Sequence, residues 1–490
     1  MKTGITIHRA TAPFTVEGNS YPANSYVVKT AQAFRPHVMD MFEPQDHPDD
    51  IPYPGGPPTP PYDATGYTLA FQMGVRFDRI LEDFSGPFEK LTDFAKAPAG
   101  RITGAATPAG YYFTHQANDS FIAINRLLAA GEDVSWLPDG PMGRGTFFVS
   151  AKPTTRAILQ TAATDLGISF EAAPTEPSGG AHLRKPRIAL FDQYGNANMP
   201  SGWTRLILEN FEFPYERVFP PDLDKGGLHE KYDVIVFNGA GLQTGGFGGR
   251  GGRGAGAAGD TQPAGAPGGD AQGGAANAAG GGRGGGGGGR SGQGAGGGRA
   301  GFTPQPIPDE FARRQGQVSA QTFTHVKQFV QDGGTVIAIG ASAMGAVQQF
   351  SLPITNHLVE NDNPLPREKY YVPGAILQVS VDDTNPLAHG LGKELDVFFD
   401  NDPVFTVAAD ASGAGPRRVA WFKDAAPLRS GWAWGQQYLD KGVEIVETNV
   451  GKGRLFLMAP EVLFRSQPHG CYKLFFNGLY LSVAPGITSK

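Results

Sequence analysis

The sequence GGTVIAIGASAMG, at residues 333–345, could carry a nucleophile, because an apolar run leads into a turn of small residues around Ser342. Enzymes with a nucleophile elbow place a reactive Ser or Cys on such a strand-to-helix turn. His469, in RSQPHG, is the best available base, and Glu461 could orient it, since a triad is assembled from distant positions. Met344, two residues after the serine, would crowd the turn. The pattern therefore favours a structural strand end over catalysis.

A second set of residues has the types that bind zinc. Zinc peptidases use a His-x-x-Glu pair and a later His, and His357, Glu360 and His469 match that description. With 10 His in the chain, about one His followed three residues later by an acid is expected by chance. The flanking sequence PITNHLVENDNPLP predicts a turn-rich loop instead of a helix. We therefore expect no metal site and no cofactor in this chain.

Two further segments have compositions that invite a functional interpretation. Residues 37–50, HVMDMFEPQDHPDD, hold five acids that could bind calcium, but the prolines and the lack of a recognised spacing favour a solvated loop. The Gly-, Ala- and Arg-rich tract at about 241–303 resembles RNA-binding segments but is poor in aromatic residues. It has almost no apolar side chains to bury, which predicts a disordered insertion.

Composition excludes several classes of protein. The chain has 490 residues, 18% charged residues and a formal net charge of -6, which argues against a general nucleic-acid binder. Its single cysteine, Cys471, excludes an intramolecular disulfide and a multi-cysteine metal site. No apolar run approaches the roughly 20 residues of a membrane span, and MKTGITIHRATAPF lacks the apolar core of a signal peptide. We therefore expect neither a membrane span nor an export signal in this sequence.

The hydrophobic pattern predicts an α/β protein with two α/β domains. Residues 1–175 contain the strands ITIHRA, FTVEG and SYVVKTA, a helix in FIAINRLLAAG, the strands EDVSWLPD and GTFFVSA, and a helix in TTRAILQTAATDLG. Residues 176–186 have the composition of a linker. Residues 187–488 alternate apolar strands (PRIALF, YDVIVFNG, TVIAIG, RLFLMAP) with helices, which predicts a mostly parallel, flavodoxin-like sheet. A helix is expected from Trp203, with Ser201 as its N-cap and with Leu206, Ile207 and Phe211 on one face.

The first predicted domain contains an internal repeat. GITIHRATAPFTVEGNSYPANSYVVKTA aligns with GEDVSWLPDGPMGRGTFFVSAK, but only the second copy is preceded by a helix, NRLLAA. A unit without its packing helix leaves one sheet face uncovered. The pattern therefore predicts that this domain is truncated at its N-terminus.

Long blocks at both ends of the chain carry a family resemblance. IHRATAPFTVEGNSYPANSYVVKTAQAFRPHVMDMFEPQDHPDDIPYPGGPPTPPYDATGYTLAFQMGV resembles the region after the peptidase domain in large exported bacterial carboxypeptidase A-like zinc peptidases (metallopeptidase family fourteen). YYVPGAILQVSVDDTNPLAHGL, VFFDNDPVF and FRSQPHGCYKLFFNGLYLS resemble the C-terminal part of the same proteins, which is similar to class I glutamine amidotransferases.

The resemblance implies a function without catalysis in this chain. The family's zinc and substrate ligands lie in the upstream peptidase domain, and none can be placed here. Amidotransferases carry a cysteine in a Gly-x-Cys-x-Gly elbow, whereas this chain has Ser342 followed by Met344. The expectation is a noncatalytic accessory region that binds a separately encoded peptidase domain, or a peptide or carbohydrate, in the periplasm or outside the cell; without the family, the cytoplasm is expected. A serine hydrolase using Ser342 and His469 is the alternative, and a metallocarboxypeptidase using His357, Glu360 and His469 the weaker one.

Overall fold

The computed structural model describes residues 3–59, 61–194, 198–239, 241–242, 308–312, 314–408, 415–484 and 486–487. The chain divides into two compact units, of which one comprises Met1–Gly251 with Arg313–Lys490 and the other Gly252–Ala312. The smaller unit contributes one described helix, α8 (Asp309–Ala312). The predicted disorder of the Gly-rich insertion falls on residues outside the described ones, apart from 241–242, and stays a prediction.

The N-terminal segment of the large unit is built from short elements. In chain order these are β1 (His8–Ala10), β2 (Phe14–Val16), β3 (Asn19–Tyr21), β4 (Tyr26–Val27), α1 (Arg35–Phe42), α2 (Leu69–Gln72) and β5 (Phe88–Lys90). β1 pairs antiparallel with β4 and β5, and β2 with β3 forms a hairpin. The predicted strands in ITIHRA, FTVEG and SYVVKTA are confirmed as β1, β2 and β4.

A six-stranded sheet follows, in the order β11-β8-β9-β7-β10-β6. Its elements are β6 (Ile102–Gly104), β7 (Gly110–Phe113), α3 (Ser120–Ala129), β8 (Val134–Gly140), β9 (Gly143–Ser150), α4 (Thr155–Leu166), β10 (Phe170–Ala173) and β11 (Ala181–His182). The predicted helices α3 and α4 and strands β8 and β9 are confirmed. α4 ends at Gly167, whose φ of 72° is left-handed and favours glycine.

The remaining elements form the largest sheet and its helices. Up to α10 they are β12 (Ile188–Phe191), α5 (Met199–Asn210), β13 (Tyr215–Val218), α6 (Pro220–Leu223), α7 (Leu228–Lys231), β14 (Val234–Asn238), α9 (Ala320–Gln331), β15 (Thr335–Ile339) and α10 (Ala341–Gln349). After α10 they are β16 (Ile354–Asn356), β17 (Val359–Glu360), β18 (Asn363–Pro364), β19 (Ala375–Val381), β20 (Glu394–Phe399), β21 (Phe405–Val407), β22 (Arg417–Trp421), β23 (Leu428–Ser430), β24 (Val443–Val450), β25 (Gly453–Met458) and α11 (Tyr472–Leu481). Short 3₁₀ helices span Pro386–Ala388, Gln436–Leu439, Phe464–Ser466 and His469–Cys471.

The largest sheet has a parallel part and an antiparallel part. Within the described residues it has twelve strands, with the main order β13-β12-β14-β15-β25-β24-β22-β19-β20. The strands from β13 to β25 in this order pair in parallel. β24 is antiparallel to β25 and begins the antiparallel part. The chain is therefore of the α/β class, and its predicted parallel sheet continues into an antiparallel extension.

The parallel strands are buried on both faces. Along β15, Val336 and Ala338 pack with α9 and α10, whereas Ile337 and Ile339 pack in the core that contains α5 and α11. This second core also contains α3, α4 and the inner side chains of the six-stranded sheet. Alternate strand residues point to opposite faces, so a strand between two helical layers needs apolar residues at every position. This explains the unbroken apolar runs of the sequence.

The start of α5 differs from the prediction. The helix begins at Met199 after the N-cap Asn198, and Pro200 lies in its first turn. Proline is tolerated there because a backbone N–H in the first turn has no hydrogen-bond acceptor within the helix. The predicted helix start at Trp203 and the predicted N-cap Ser201 were therefore wrong. Leu206, expected on one face with Ile207 and Phe211, is half-exposed. The buried stripe of α5 includes Thr204, Ile207, Leu208 and Phe211, which have the i, i+3, i+4, i+7 spacing of one helix face.

The predicted domain boundary at 176–186 stays a prediction. Within that range β11 pairs antiparallel with β8. Arg184 and Arg187 form ion pairs with the buried carboxylate of Asp233, at 2.6 and 2.7 Å, and these pairs lower the pKa of Asp233 against the opposing effect of burial.

Within the described residues, no helix combines the length and apolar character needed to cross a membrane.

Two buried histidines lie where the six-stranded sheet meets the segment before β20. His115 donates from Nε2 to the carbonyl of His389 at 2.7 Å, and Asn477 donates to the same carbonyl at 2.9 Å. The His115 ring packs against Trp136 and Phe147. Burial lowers the pKa of His115 to about 3 and that of His389 to about 4. Both imidazoles are therefore neutral in the folded protein at pH 5 to 7.

We predict that His115 and His389 each make an unfavourable contribution to stability as the pH falls from 7 to 5. A histidine in the unfolded chain titrates near 6.5, so the unfolded state takes up protons first and the stabilising contribution falls as pH drops below that value. The maximal slope is about 1.4 kcal/mol per pH unit for each histidine. Urea unfolding across this range measures it. His115→Gln should gain stability relative to the parent protein as the pH falls, by up to about 1.4 kcal/mol per pH unit, and parallel curves for the two proteins would contradict the assignment.

Candidate functional site

The turn between β15 and α10 is centred on Gly340. Its φ of 63° and ψ of −135° are a backbone conformation that residues other than glycine rarely adopt. The Gly340 N–H donates to the carbonyl of Met458 at 2.8 Å, and the Ala343 N–H donates to the Gly340 carbonyl at 2.9 Å. Gly340 therefore has the sharp strand-to-helix turn on which an elbow places its nucleophile.

This geometry corrects the position assigned to Ser342. The residues two before and two after the strained position are Ala338 and Ser342, so the serine is a small flanking residue in the first turn of α10. Met344 lies further along the helix and does not crowd the turn. The Ser342 side chain is buried, and its Oγ donates to the carbonyl of Gly239, directly after β14, at 2.6 Å. Its hydroxyl therefore connects two neighbouring strand ends.

His469 lies directly before α11. Its ring stacks on Tyr472 with centroids 4.7 Å apart, and its carbonyl accepts from the Asn118 amide at 2.8 Å. Burial lowers the pKa of His469, and the charge of Asp119 opposes this shift. Asp119 is therefore a carboxyl group that acts on this imidazole, and the role proposed for Glu461 from the sequence stays a prediction.

The structure does not bring Ser342 and His469 together as a pair. The helix that carries Ser342, α10, packs on one face of the parallel sheet through Ala343 and Val347. The helix that follows His469, α11, packs in the core on the opposite face. A catalytic dyad needs a hydrogen bond between nucleophile and base, and among the described residues the Ser342 hydroxyl donates instead to the Gly239 carbonyl.

Glu461 is half-buried and lies near two buried acids at the carboxyl edge of the sheet. It follows β25, and its charge acts on Asp402, which is buried after β20. Glu444, in β24, is fully buried, and neither of its carboxyl oxygens has a hydrogen-bond partner within the described part of the chain. The buried Tyr370 hydroxyl also has none there, and its pKa is raised by burial and by the charges of Glu444 and Asp402.

Two of these acids, Asp402 and Glu444, have raised pKa values. Burial is the main reason that the pKa values of Asp402 and Glu444 lie well above the usual range, and the charge of Glu461 adds to the effect on Asp402. Among the described residues, no three His, Cys, Asp or Glu side chains are arranged so that they could hold a metal ion. Burial therefore favours the protonated forms of Asp402 and Glu444.

The three residues considered as zinc ligands each contact different neighbours. Both ring nitrogens of His357 are within hydrogen-bond distance of neighbours, Thr406 Oγ1 at 2.9 Å and the Asp440 carbonyl at 3.1 Å. Glu360 forms an exposed ion pair with Lys369. His469 packs on Tyr472, so these three side chains each have separate local partners.

The remaining candidate residues make structural contacts. In the acidic segment, His47 bonds to the Thr65 carbonyl at 2.8 Å and Asp49 accepts from the Trp432 indole at 2.7 Å. Cys471 is buried, which raises the pKa of its thiol and keeps it protonated. The sequence analysis missed Gly340, and the signal for it was a glycine between a five-residue apolar strand and a helix.

The chain matches no protein-family model. It also matches no curated protein. Among solved structures it is similar to a protein described as a GMP synthase subunit from Thermoplasma acidophilum, with 11% identity, coverage of 61% of this chain and 96% of the other, and a TM-score of 0.29. A ThuA-like protein from Bacteroides uniformis has 9% identity, coverage of 64% and 99%, and a TM-score of 0.29. A β-galactosidase from Bacillus circulans has 9% identity, coverage of 63% of this chain and 32% of the other, and a TM-score of 0.28. TM-scores this low do not support a conclusion about the fold or function of this chain.

We predict that Gly340→Ala destabilises the protein by about 1–3 kcal/mol, because alanine must adopt the strained backbone. Steric overlap is not the cause, since no described atom lies within 4 Å of the position a Cβ would take. The matched control is Gly202→Ala in α5, which also meets open space. There alanine should stabilise the helix by about 0.5–1 kcal/mol. Equal effects of the two variants in urea unfolding would contradict the assignment of the turn.

We predict that Glu444→Gln becomes increasingly stable relative to the parent protein as pH rises. A carboxyl whose folded pKa is raised stabilises the protein fully below its unfolded pKa, and this contribution is lost as pH rises through the folded pKa. Glutamine has the same shape and no proton to lose. The difference should grow by up to about 1.4 kcal/mol per pH unit. Exposed Glu360→Gln is the control, and parallel stability curves for Glu444→Gln and the parent would refute the prediction.

Proposed function

We propose that this chain is a noncatalytic accessory region, whose amidotransferase-like α/β domain binds another molecule instead of transferring an amide group. The observation that carries the proposal is Gly340. The residue with the elbow conformation has no side chain, so the position at which an amidotransferase carries its cysteine offers no nucleophile.

The contacts of Ser342 support the same conclusion. A catalytic serine needs a base within hydrogen-bond reach and an exposed hydroxyl. Ser342 is buried, and its hydroxyl donates to a backbone carbonyl. Among the described residues, no hydrogen bond joins it to its proposed base, His469. The serine hydrolase alternative therefore has no support in the geometry.

The finer part of the proposal is a relation to zinc carboxypeptidases. It is supported by the long sequence blocks near both ends of the chain, and by no other observation. On this proposal, zinc belongs to a peptidase domain outside this sequence, and the chain contacts that domain or holds a peptide or carbohydrate, in the periplasm or outside the cell. The binding edge would be the carboxyl ends of β12, β14, β15 and β25, since open α/β sheets place their ligands there.

The noncatalytic proposal predicts that Ser342→Ala leaves hydrolysis unchanged. The full chain, Ser342→Ala and His469→Asn are assayed with glutamine, ester and peptide substrates. All three should show only background rates, and Ser342→Ala should lose about 0.5–1.5 kcal/mol of stability with its hydrogen bond. If the chain hydrolyses any substrate saturably, and both folded variants abolish that activity, the proposal is wrong.

The accessory role has a separate test. An antibody against this chain is used for immunoblotting and for co-purification from the native source. The proposal predicts either an antigen about twice this size, since a typical catalytic domain adds a few hundred residues, or a co-purifying zinc peptidase. An antigen of 51.8 kDa without such a partner would contradict the carboxypeptidase relation and leave the hydrolysis result untouched.

A further inference from the structure

An open cleft lies on the antiparallel part of the largest sheet. It has a volume of about 600 Å³, within the range of small-molecule sites. It lies where β19 ends and β22 begins, and three strand steps separate β22 from β15, or roughly 14 Å at the usual strand spacing. Its charged and aromatic lining residues are Asp382, Asp383, Lys393, Arg417, Arg418 and Trp421.

The acids of the cleft already have partners. Asp382 accepts from the backbone N–H and the hydroxyl of Thr384, at 3.0 and 2.6 Å. Asp383 pairs with Arg144 at 3.4 Å. These bonds offset the negative charge on this side of the cleft.

Two of the cations that line the cleft differ from the acids, because they are exposed and not paired with a carboxylate that the structure describes. Lys393 and Arg418 are exposed, and neither has a carboxylate partner within the described residues. Arg417 is a third cation in the same lining. Because the chain as a whole has a net charge of -6, a local excess of positive charge is a specific feature of this surface.

A register shift brings an aromatic ring beside these cations. Arg418 and Trp421 are three residues apart, so a regular strand would direct them to opposite faces. The pairing of β22 with β24 shifts twice between these residues. In the resulting arrangement the Arg418 guanidinium lies over the Trp421 ring, 5.0 Å from its centroid. Bulges of this kind redirect side chains and are common beside functional sites.

We propose that this cleft binds a small anion, a carboxylate or a phosphate carried on a ring. Lys393 and Arg418 bind the charged group, with Arg417 beside them, and the ring packs against Trp421. Guanidinium groups donate two parallel hydrogen bonds to a carboxylate or phosphate, and ligand sites combine such polar groups with aromatic walls. The proposal does not depend on whether the chain is catalytic, since the cleft involves none of the residues around Gly340.

Isothermal titration of the full chain tests this proposal. The probes are phenyl phosphate and phthalate, with benzyl alcohol as the neutral control. We expect saturable binding of at least one anion, weaker at higher ionic strength, and none of benzyl alcohol. The anion that binds identifies the ligand as a phosphate or a carboxylate.

The variants Lys393→Gln and Arg418→Gln should each weaken binding about tenfold, as expected for loss of one charged hydrogen bond. Lys96→Gln removes the same charge from an exposed loop before β6 and should leave affinity unchanged. Both cleft residues are exposed, so the variants should fold. The absence of saturable binding by either anion, or equal affinity in all three variants, overturns the proposal.

Discussion

Burial of β15 on both faces is the constraint on which the arrangement of the molecule depends. Its alternate side chains enter two separate cores, and the helices that follow β15 and β25 cover opposite faces. The chain must turn sharply after β15 to return along one face, and Gly340 takes the strained conformation that this turn requires. The same turn places Ser342 in the first turn of α10, bonded to the end of β14. The hydrogen bond of Ser342 to the Gly239 carbonyl thus follows from the position of this turn.

Much of the fold could be predicted because burial requires regular apolar patterns. The strands β12, β14, β15 and β25 appear in the sequence as unbroken apolar runs, and α3, α4, α9 and α11 as helical ones. The N-cap of α5 was missed because Asn198, followed by Pro200 in the first turn, was not recognised as the start of the helix. The antiparallel extension was not predicted either, since the direction of pairing depends on which distant strands meet.

The candidate site was harder to predict, for physical reasons that differ from residue to residue. The small residues around Ser342 indicated a tight turn correctly, but its centre depends on a backbone dihedral angle that a run of Gly, Ala and Ser does not specify. Asp402 and Glu444 come together only through the pairing of distant strands, so no spacing in the sequence indicates them. Arg418 and Trp421 face one another because of a register shift that exists only in the folded sheet.

The most direct test of the noncatalytic assignment is covalent labelling of the native chain with a fluorophosphonate probe, followed by peptide mass spectrometry. Such probes react with serine hydroxyls that are exposed and activated by a base. The account predicts no adduct at Ser342, because its hydroxyl is buried and donates to the Gly239 carbonyl. A stoichiometric adduct at Ser342 in folded protein would contradict it.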